Sequence, residues 1–423
     1  MSQAFDVAVL GATGLVGQTM IELLEERDFP VNRLYPLASK RSAGSTVSFK
    51  GEDIEVLDAD DFDWSLVQFG FFSAGGSISA KFAPLAAEEG CIVIDNTSEF
   101  RYEPDIPLVV PEVNAHALAE FRNRNIIANP NCSTIQMMVA LKPIQDAVGI
   151  DRINVCTYQS VSGAGKEAME ELAKQTAGLL NAREVKPESF SRQIAFNVIP
   201  QIDVFQDNDY TKEEMKLVNE THKILNDSSI GVSATAIRIP VVGGHSESIN
   251  VQLKIDFDLE AIRKLLNDSP GVVVQDNPET NTYPMPIYAE GKDEVFVGRI
   301  RRDTSHHNAI NMWMTSARSC ATRSRRRPST SGRNASSRGL IKNATRAWKE
   351  PQNTRTTSRR RSCTTRPSRR SRRGTVARTP RRYLFAWSPT TISNSAARRR
   401  GGSSASRRTP TEPRGSSARR RSC

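Results

Sequence analysis

The sequence FDVAVLGATGLVG, residues 5–17, decides the fold. Residues 5–10 are a short apolar run of the kind that forms a buried parallel strand, and a glycine-rich turn follows at once. Residues 18–26 have helical spacing, and a glycine turn between a strand and a helix typically binds the phosphates of a dinucleotide. A glycine turn without a ligand is the alternative. The predicted cofactor contacts in this turn are Gly11, Ala12, Thr13, Gly14, Leu15, Val16 and Gly17.

The end of the second predicted strand, residues 33–38, indicates which dinucleotide is bound. In NAD-binding domains an acidic residue about 20 positions further along holds the ribose hydroxyls. Here the strand ends in Ser39-Lys40-Arg41-Ser42, which offers cations and hydroxyls and no acid. Such a loop suits the 2′-phosphate of NADP, with Ser39, Arg41 and Ser42 as predicted contacts. An ordinary solvated loop is the alternative.

The alternation of strands and helices then continues. A predicted strand at residues 69–73 ends in a second tight turn near the phosphates, where Ser73 and Gly75 are candidate cofactor contacts. A helix and another strand follow by residue 95. This order predicts an α/β fold class, with a Rossmann-type, doubly wound domain in residues 1–131.

One cysteine, Cys132, lies in NPNCSTIQ, residues 129–136. It follows a turn that contains proline, and apolar residues at helical spacing continue to Val148, so Cys132 is predicted at a helix N-terminus. Unpaired backbone N–H groups and the positive end of the helix dipole favour a thiolate there. An activated sulfur attacks a carbonyl group and holds the acyl group as a thioester. A small buried residue in a turn is the alternative.

Two features of the second half are ambiguous from sequence alone. The small-residue loop with Ser162 and Gly163 either approaches a nicotinamide or substrate, or only joins a strand to a helix. Glu213 and Lys216 lie three residues apart on one face of a predicted helix. They are either part of a site or an ordinary solvated salt bridge.

A buried arginine and a histidine follow. Arg238 lies in an apolar predicted strand, residues 235–242, and therefore needs a partner, for which a carboxylate is the best bidentate match. His245 follows Gly-Gly, a suitable position for a proton carrier, although a single histidine is more often structural. His306-His307 lie in a polar loop without other ligand types nearby, so we predict no metal site.

The 423 residues divide into two parts of opposite charge. Residues 1–314 carry 27 Lys and Arg against 45 Asp and Glu, a net −18, and are long enough for two domains. Residues 315–423 carry 31 against 2, a net +29, and are rich in Arg, Ser, Thr and Pro. Such a composition cannot bury enough apolar surface to fold, so we predict a disordered low-complexity tail.

The change of composition at Met314–Thr315 is abrupt, because a strand-like segment breaks off there without a linker. An excess of Arg, Ser, Thr and Pro is what GC-rich DNA yields when it is read out of frame. We therefore interpret residues 315–423 as frameshifted or non-native. The alternative is a genuine arginine-rich arm that binds nucleic acid through its phosphates.

Cysteine usage and hydropathy bear on the cellular compartment. Three of the six cysteines lie in residues 1–314 and do not form a disulfide framework. The N-terminus lacks the basic region of a signal peptide, and no segment reaches the ~18 consecutive apolar residues of a membrane span. We expect a cytoplasmic protein with no membrane contact.

Seven motifs, in chain order, resemble the aspartate-semialdehyde dehydrogenase family over residues 4–313: GATGLVG, SKRSAG, NPNCSTIQ, YQSVSGAGKEAM, EEMKLVNETHKIL, RIPVVGGHSESI and VGRIRRD. The resemblance implies an NADP-dependent enzyme that reduces L-aspartyl 4-phosphate to L-aspartate 4-semialdehyde and releases phosphate. This step leads to lysine, diaminopimelate, methionine, threonine and isoleucine. It also implies an α+β catalytic and dimerisation domain at residues 132–314, and a homodimer or tetramer.

The same resemblance implies roles for individual residues. Cys132 matches the nucleophile, His245 the general acid/base and Gln159 the residue that orients the substrate. The residues that match the family's substrate-binding positions are Arg238 for the α-carboxylate, Glu213 for the ammonium, Arg101 and Lys216 for phosphate, and Asn131 beside the nucleophile. Ser162 and Gly163 are taken as contacts of the cofactor.

The chain departs from the family after Met314. Family members continue into a C-terminal helix that packs on the cofactor domain, and nothing in residues 315–423 matches it. We therefore expect this chain to be unstable or poorly active. One alternative function is that of an N-acetyl-glutamyl-phosphate reductase, against which Asn131 and Ser133 argue. Nucleic-acid binding through the tail is another, which the acidic first part disfavours.

Overall fold

The computed structural model describes residues 4–317. The elements of its first half, in chain order, are β1 Phe5–Leu10, α1 Leu15–Glu26, β2 Val31–Ala38, β3 Thr46–Phe49, β4 Glu52–Glu55, β5 Leu57–Asp58, β6 Phe69–Phe72, α2 Gly76–Glu88, β7 Ile92–Asp95, α3 Pro111–Asn114 and β8 Ile126–Ala128. Short 3₁₀ helices lie at Ala59–Asp61, Trp64–Leu66 and Ala115–Asn123.

The first sheet is parallel throughout, with strand order β5-β2-β1-β6-β7-β8. The chain moves outward from β1 to β2 and then returns to β6 on the other side of β1, so the strand order reverses between β1 and β6. In such sheets a ligand binds outside the carboxyl ends of the strands, at the reversal point. The loops after β1, β2 and β6 therefore lie side by side at one edge, and the predicted Rossmann-type architecture is confirmed.

Close packing at the start of α1 requires glycine. A Cβ atom on Gly17 would lie 2.1 Å from the carbonyl oxygen of Gly11, and one on Gly11 would lie 2.9 Å from the carbonyl carbon of Ser73. Gly11 also has φ +90°, a conformation that L side chains rarely adopt. The turn thus brings β1, α1 and the end of β6 together with no room for side chains.

The second half contains the remaining elements. In chain order they are α4 Cys132–Val148, β9 Ile150–Gln159, α5 Lys166–Leu180, α6 Lys212–Leu225, β10 Gly231–Arg238, β11 His245–Leu253, α7 Leu259–Asn267, β12 Val272–Val274, α8 Pro286–Ala289, β13 Val295–Arg302 and β14 Ala309–Ser316. A 3₁₀ turn occupies Val161–Ala164.

The second sheet is mixed, with strand order β10-β9-β11-β14-β13-β12. The outer pairs β10/β9 and β12/β13 are parallel, and the pairs between them are antiparallel. Helix α4 crosses this sheet and packs on β9, β11, β13 and β14, with α6 and α7 against it. Its side chains from Ser133 to Leu141 are all buried, so the cysteine helix is a central element of the core.

Several predicted boundaries require correction. Strand β10 ends at Arg238 rather than at residue 242, because Pro240 has no N–H for a strand ladder. Strand β14 continues to Ser316, so the break predicted at Met314–Thr315 is wrong. Thr315 and Ser316 are buried and pair with β11, and the Thr315 hydroxyl donates to the carbonyl of His245 at 2.9 Å. The predictions for the rest of the basic tail fall outside the described residues.

No helix within residues 4–317 is long and apolar enough to cross a membrane. An apolar groove of about 240 Å³ lies against α1 and the first sheet. Its lining includes Met20, Leu24, Phe29, Phe69, Phe71 and Leu118.

Candidate active site

Cys132 is the first residue of α4. The preceding residue, Asn131, caps the helix, because its Oδ1 accepts hydrogen bonds from the N–H groups of Ser133 at 2.9 Å and Thr134 at 3.3 Å. Cys132 is partly exposed and lines a pocket. The structure thus places the sulfur at the positive end of a helix dipole, as the sequence predicted.

Two glutamates of α6 hold the turn before Cys132. The backbone N–H of Asn131 donates to Glu220 Oε2 at 2.6 Å, and its side-chain Nδ2 donates to Glu213 Oε1 at 2.9 Å. Glu213 and Glu220 are seven residues apart, two helical turns, so both project from the same face of α6. Helix α6 therefore fixes both the backbone and the side chain of the residue that precedes Cys132.

Glu220 also binds Arg101. Its Oε1 accepts from Arg101 Nη1 at 2.9 Å, and the guanidinium donates further to the carbonyls of Thr97 and Asn96. Glu220 is wholly buried; burial raises its pKa, while the charge of Arg101 and the Asn131 N–H act in the opposite direction. Glu220 was not predicted as a site residue, although a second acid seven residues after Glu213 was a signal for it.

Glu213 and Lys216 form a buried ion pair, so the alternative of a solvated salt bridge is wrong. Glu213 is 5% exposed, and its Oε2 accepts from Lys216 Nζ at 2.8 Å. Gln159 Nε2 donates to Glu213 Oε1 at 3.0 Å, and Lys216 also pairs with Asp203 at 3.1 Å. Burial would raise the pKa of Glu213, but the charge of Lys216 and the donated hydrogen bonds lower it to about 2.

This low pKa makes a specific contribution to stability. The folded-state pKa of Glu213 lies below its ordinary value of 4.5, so the stabilisation is fully present above pH 4.5 and is lost as the pH falls toward 2. We expect the Glu213→Gln variant to lose less unfolding free energy than the parent across this window, by up to about 3 kcal/mol. Urea unfolding of both proteins through the window measures it, and equal pH dependence would contradict it.

The second sheet presents three predicted site residues along one edge. Arg238 at the end of β10 pairs with Gln159 at the end of β9. His245 begins β11, one residue before Ser246, which pairs with the β9 residue Tyr158. Parallel and antiparallel pairing together therefore align Arg238, Gln159 and His245 at one end of the sheet, facing α4 and α6.

The hydrogen bonds of His245 define its tautomer. Its Nδ1 lies 3.0 Å from both the backbone nitrogen and the hydroxyl of Ser160. Because a backbone N–H only donates, Nδ1 is the acceptor and the hydrogen of the neutral ring is on Nε2. His245 is 4% exposed, and its Nε2 makes no hydrogen bond with any residue between 4 and 317. The Nε2–H group of His245 is therefore available to donate a hydrogen bond to a ligand in the pocket.

Ser160, which was not predicted from the sequence, links His245 to Arg238. Its N–H and hydroxyl bind the imidazole, while its carbonyl accepts from Arg238 Nη1 at 2.7 Å. Gly163 packs against both side chains: a Cβ there would lie 3.0 Å from Arg238 Nη1 and 3.2 Å from His245 Nε2. The loop after β9 thus positions the cation and the imidazole together.

A pocket of about 610 Å³ joins these groups. All eight predicted catalytic and substrate-binding residues line it: Arg101, Asn131, Cys132, Gln159, Glu213, Lys216, Arg238 and His245. Four predicted cofactor contacts also line it: Leu15, Val16, Ser162 and Gly163. The pocket therefore extends from the start of α1 to the edge of the second sheet.

The other predicted cofactor contacts lie outside this pocket lining. Gly17 lies in the first turn of α1. The others occupy the loops after β1, β2 and β6, at the carboxyl edge of the first sheet: Gly11, Ala12, Thr13, Gly14, Ser39, Arg41, Ser42, Ser73 and Gly75. Helix α1 has no acidic residue in its first turn and no side-chain cap. An uncapped N-terminus beside a glycine turn suits a pyrophosphate, so this edge fits a dinucleotide.

Metal ligands do not cluster in the part of the chain that the structure describes. No group of three or more His, Cys, Asp or Glu between residues 4 and 317 has a metal-binding arrangement. His306 and His307 stack on each other, with ring centroids 5.1 Å apart.

Two protein-family models match the chain, one over the part that forms the first sheet and one over the part that forms the second. The sequence model of the semialdehyde dehydrogenase NAD-binding domain matches residues 6–121, and that of the semialdehyde dehydrogenase dimerisation domain matches residues 141–317. An aspartate-semialdehyde dehydrogenase of a Shewanella species (strain DB6705) is 60% identical over 317 residues, which cover 75% of this chain and 93% of the relative. The chain belongs to the aspartate-semialdehyde dehydrogenase family.

Solved structures of the aspartate-semialdehyde dehydrogenase family agree. Vibrio cholerae aspartate-semialdehyde dehydrogenase II, complexed with ASA, is 57% identical with a TM-score of 0.73, covering 75% of this chain and 94% of that one. The Candida albicans enzyme with NADP is 26% identical with a TM-score of 0.60, over 75% and 94%. The predicted family, fold class and cofactor are thus confirmed. The family match extends to residue 317, four residues beyond the predicted limit at residue 313.

Proposed function

We propose that the chain catalyses the NADP-dependent reductive dephosphorylation of L-aspartyl 4-phosphate to L-aspartate 4-semialdehyde. The observation that carries this proposal is Cys132, at the start of a helix, in one pocket with a histidine and with cations and an acid that match the substrate. A chain that is 60% identical to an aspartate-semialdehyde dehydrogenase supports it. The relatives lend no support to N-acetyl-glutamyl phosphate reduction or to nucleic-acid binding.

The first step is acyl transfer to sulfur. The Cys132 thiolate attacks the acyl phosphate carbonyl and displaces phosphate, which leaves a thioester. Lys216 and Arg101, both in the pocket lining, complement the charge of the phosphate. Arg101 uses three of its five N–H groups on Glu220, Thr97 and Asn96 in the structure, so two remain for an anion.

The amino acid part of the substrate finds complementary charges. Arg238 offers its guanidinium to the α-carboxylate, and Glu213, with its pKa lowered to about 2, remains an anion for the ammonium group. Gln159 bonds to Glu213 and orients it. A charge-matched pocket of this kind positions the reacting carbonyl against the sulfur.

His245 acts as a proton donor in this scheme. With Nδ1 held by Ser160, its Nε2–H donates a hydrogen bond to the oxygen that gains charge in the tetrahedral intermediate. Bound NADPH supplies the hydride that reduces the thioester. After reduction, the Nε2 proton is available to the departing sulfur.

The loop after β2 is expected to select NADP over NAD. In the Arg41→Ala variant the Kd for NADPH should rise about tenfold or more, because a charged hydrogen bond to the 2′-phosphate contributes about 1.5–3 kcal/mol. The Kd for NADH should not change. NADPH and NADH fluorescence titrations measure both constants, and Lys50→Ala, which removes another exposed cation of the same domain, is the control. An equal effect on both nucleotides would refute this assignment.

Two further parts of the proposal concern assembly and location. The chain carries the family's dimerisation domain, and we propose a homodimer. Four apolar residues between α5 and α6 are 53–66% exposed, and an interface would bury them: Phe196, Val198, Val204 and Phe205. Light scattering tests the dimer.

A cytoplasmic location suits a reaction that needs a reduced cysteine.

The assay that tests the reaction compares two acyl phosphates. Oxidation of NADPH with L-aspartyl 4-phosphate should be much faster than with N-acetyl-L-glutamyl 5-phosphate, because the latter has no ammonium group for Glu213. Equal rates, or a preference for the acetylated substrate, would reject the proposed specificity.

A further inference from the structure

Glu247 is an acidic residue in the interior of the second sheet to which the proposed reaction assigns no role. It lies on β11 two residues after His245, so both side chains project from the same face of the strand. Its neighbours across the ladders are Thr157 of β9 and Met314 of β14. Glu247 is 0% exposed.

The Glu247 carboxyl group has no hydrogen-bond partner in the described part of the chain. Neither of its oxygens makes a hydrogen bond with any residue from 4 to 317, and neither does either polar atom of the fully buried Gln136. The Gln136 amide nevertheless lies close enough to influence the Glu247 carboxyl group, although outside strict hydrogen-bond geometry. Two buried polar groups that lack partners therefore face each other.

These residues form two layers between α4 and β11. Cys132 and Gln136 are four residues apart and share a face of α4, just as His245 and Glu247 share a face of β11. Cys132 and His245 line the pocket, while Gln136 and Glu247 lie one step deeper. The next step along β11 reaches Ile249, whose partners Val155 and Met312 are apolar. Gln136 and Glu247 therefore lie between the pocket and the apolar core.

The surroundings of Glu247 favour its neutral form. The titratable groups facing it are Cys132 from α4 and His245 from its own strand, while β9 and β14 contribute Thr157 and Met314, which do not titrate. Burial raises the pKa of Glu247 well above its usual range, the charge of Cys132 raises it further, and Gln136 acts in the opposite direction.

We propose that Glu247 is a positioning residue that works as a neutral carboxylic acid, paired with the Gln136 amide, and holds α4 against β11 without placing an anion beneath Cys132. An acid and an amide complement each other through two hydrogen bonds, O–H to the amide oxygen and N–H to the acid carbonyl. A carboxylate would instead oppose the amide oxygen and repel a nearby thiolate. The inference rests on the proposed role of Cys132 as nucleophile.

The test uses the full chain and needs no turnover. Glu247→Gln keeps the shape and an amide pair but cannot ionise, whereas Glu247→Leu removes the pair. The rate of Cys132 alkylation by iodoacetamide should be retained in Glu247→Gln at neutral pH and should fall about tenfold in Glu247→Leu. At alkaline pH the parent should show slower alkylation than Glu247→Gln, because only the parent acquires a carboxylate beside the sulfur.

Infrared spectroscopy identifies the acid directly. The parent should show the carbonyl band of a protonated carboxylic acid that shifts in heavy water, moves when Cys132 is alkylated and disappears in Glu247→Gln. Glu214→Gln is the matched control, because it changes another buried glutamate, one whose two oxygens accept from the N–H groups of Thr211 and Ala236, and it should leave the band in place. Absence of the band from the parent, or equal slowing of alkylation in both Glu247 variants, would overturn the proposal. Neither readout depends on which acyl phosphate is the substrate.

Discussion

The Cys132→Ser variant is expected to lose about 10,000-fold or more in kcat/KM with L-aspartyl 4-phosphate. A serine hydroxyl at this position stays protonated at neutral pH, and the helix dipole that favours a thiolate does not make an alkoxide. His245 offers no compensation, because its Nδ1 accepts from Ser160 and its Nε2 already carries the hydrogen. The measurement is the steady-state rate of NADPH oxidation.

A second cysteine provides the control for this variant. Cys156 is partly buried in β9, in the middle of a ladder with Ser248 and away from the edge that carries Gln159. Cys156→Ser should retain the parent rate, since a change of similar size occurs outside the pocket. If both variants lost the same activity, or if Cys132→Ser kept it, Cys132 would not be the nucleophile.

The Glu220→Ala variant is expected to lose about 3–5 kcal/mol of unfolding free energy. The change leaves the Arg101 guanidinium, whose side chain is only 8% exposed, as a buried charge without its ion-pair partner. It also removes the acceptor of the Asn131 N–H, so the turn before Cys132 keeps only one of its two contacts with α6, the one to Glu213. Urea unfolding at neutral pH gives the free energy, and the alkylation rate of Cys132 reports the local effect.

Two further variants test whether the buried ion pair of Arg101 and Glu220 contributes more to stability than an exposed ion pair does. Removing both charges in Arg101→Met/Glu220→Met should recover part of the lost stability, because no unpaired charge remains. Asp268→Asn breaks the exposed pair with Lys264 and should cost about 1 kcal/mol or less. A loss for Glu220→Ala no larger than for Asp268→Asn would show that α6 does not anchor the cysteine turn.

The parts of the fold that sequence predicted are those with local signals. The glycine turn between β1 and α1 is recognisable because backbone conformation and close packing exclude other residues at Gly11 and Gly17. The position of Cys132 follows from apolar periodicity and an Asn that accepts from the first helical N–H groups. Such signals extend over only a few residues, so they can be recognised in the sequence without knowledge of the tertiary structure.

The residues that sequence missed depend on long-range contacts. Ser160 and His245 are 85 positions apart, and Glu220 and Asn131 are 89 positions apart. Their contacts follow from the register of β9 against β11 and from the face of α6 that meets α4, neither of which periodicity determines. The end of β14 was misplaced for a related reason: Thr315 and Ser316 are polar, yet they are buried by pairing with β11.

The central claim is that Cys132 forms the thioester. Mixing the chain with L-aspartyl 4-phosphate in the absence of NADPH should release phosphate in proportion to enzyme, and peptide mass spectrometry should locate an aspartyl group on Cys132. Adding NADPH should then discharge that group as the semialdehyde. Folded protein that carries the acyl group on Cys91 or Cys156, or that carries none while still reducing the substrate, would contradict the account.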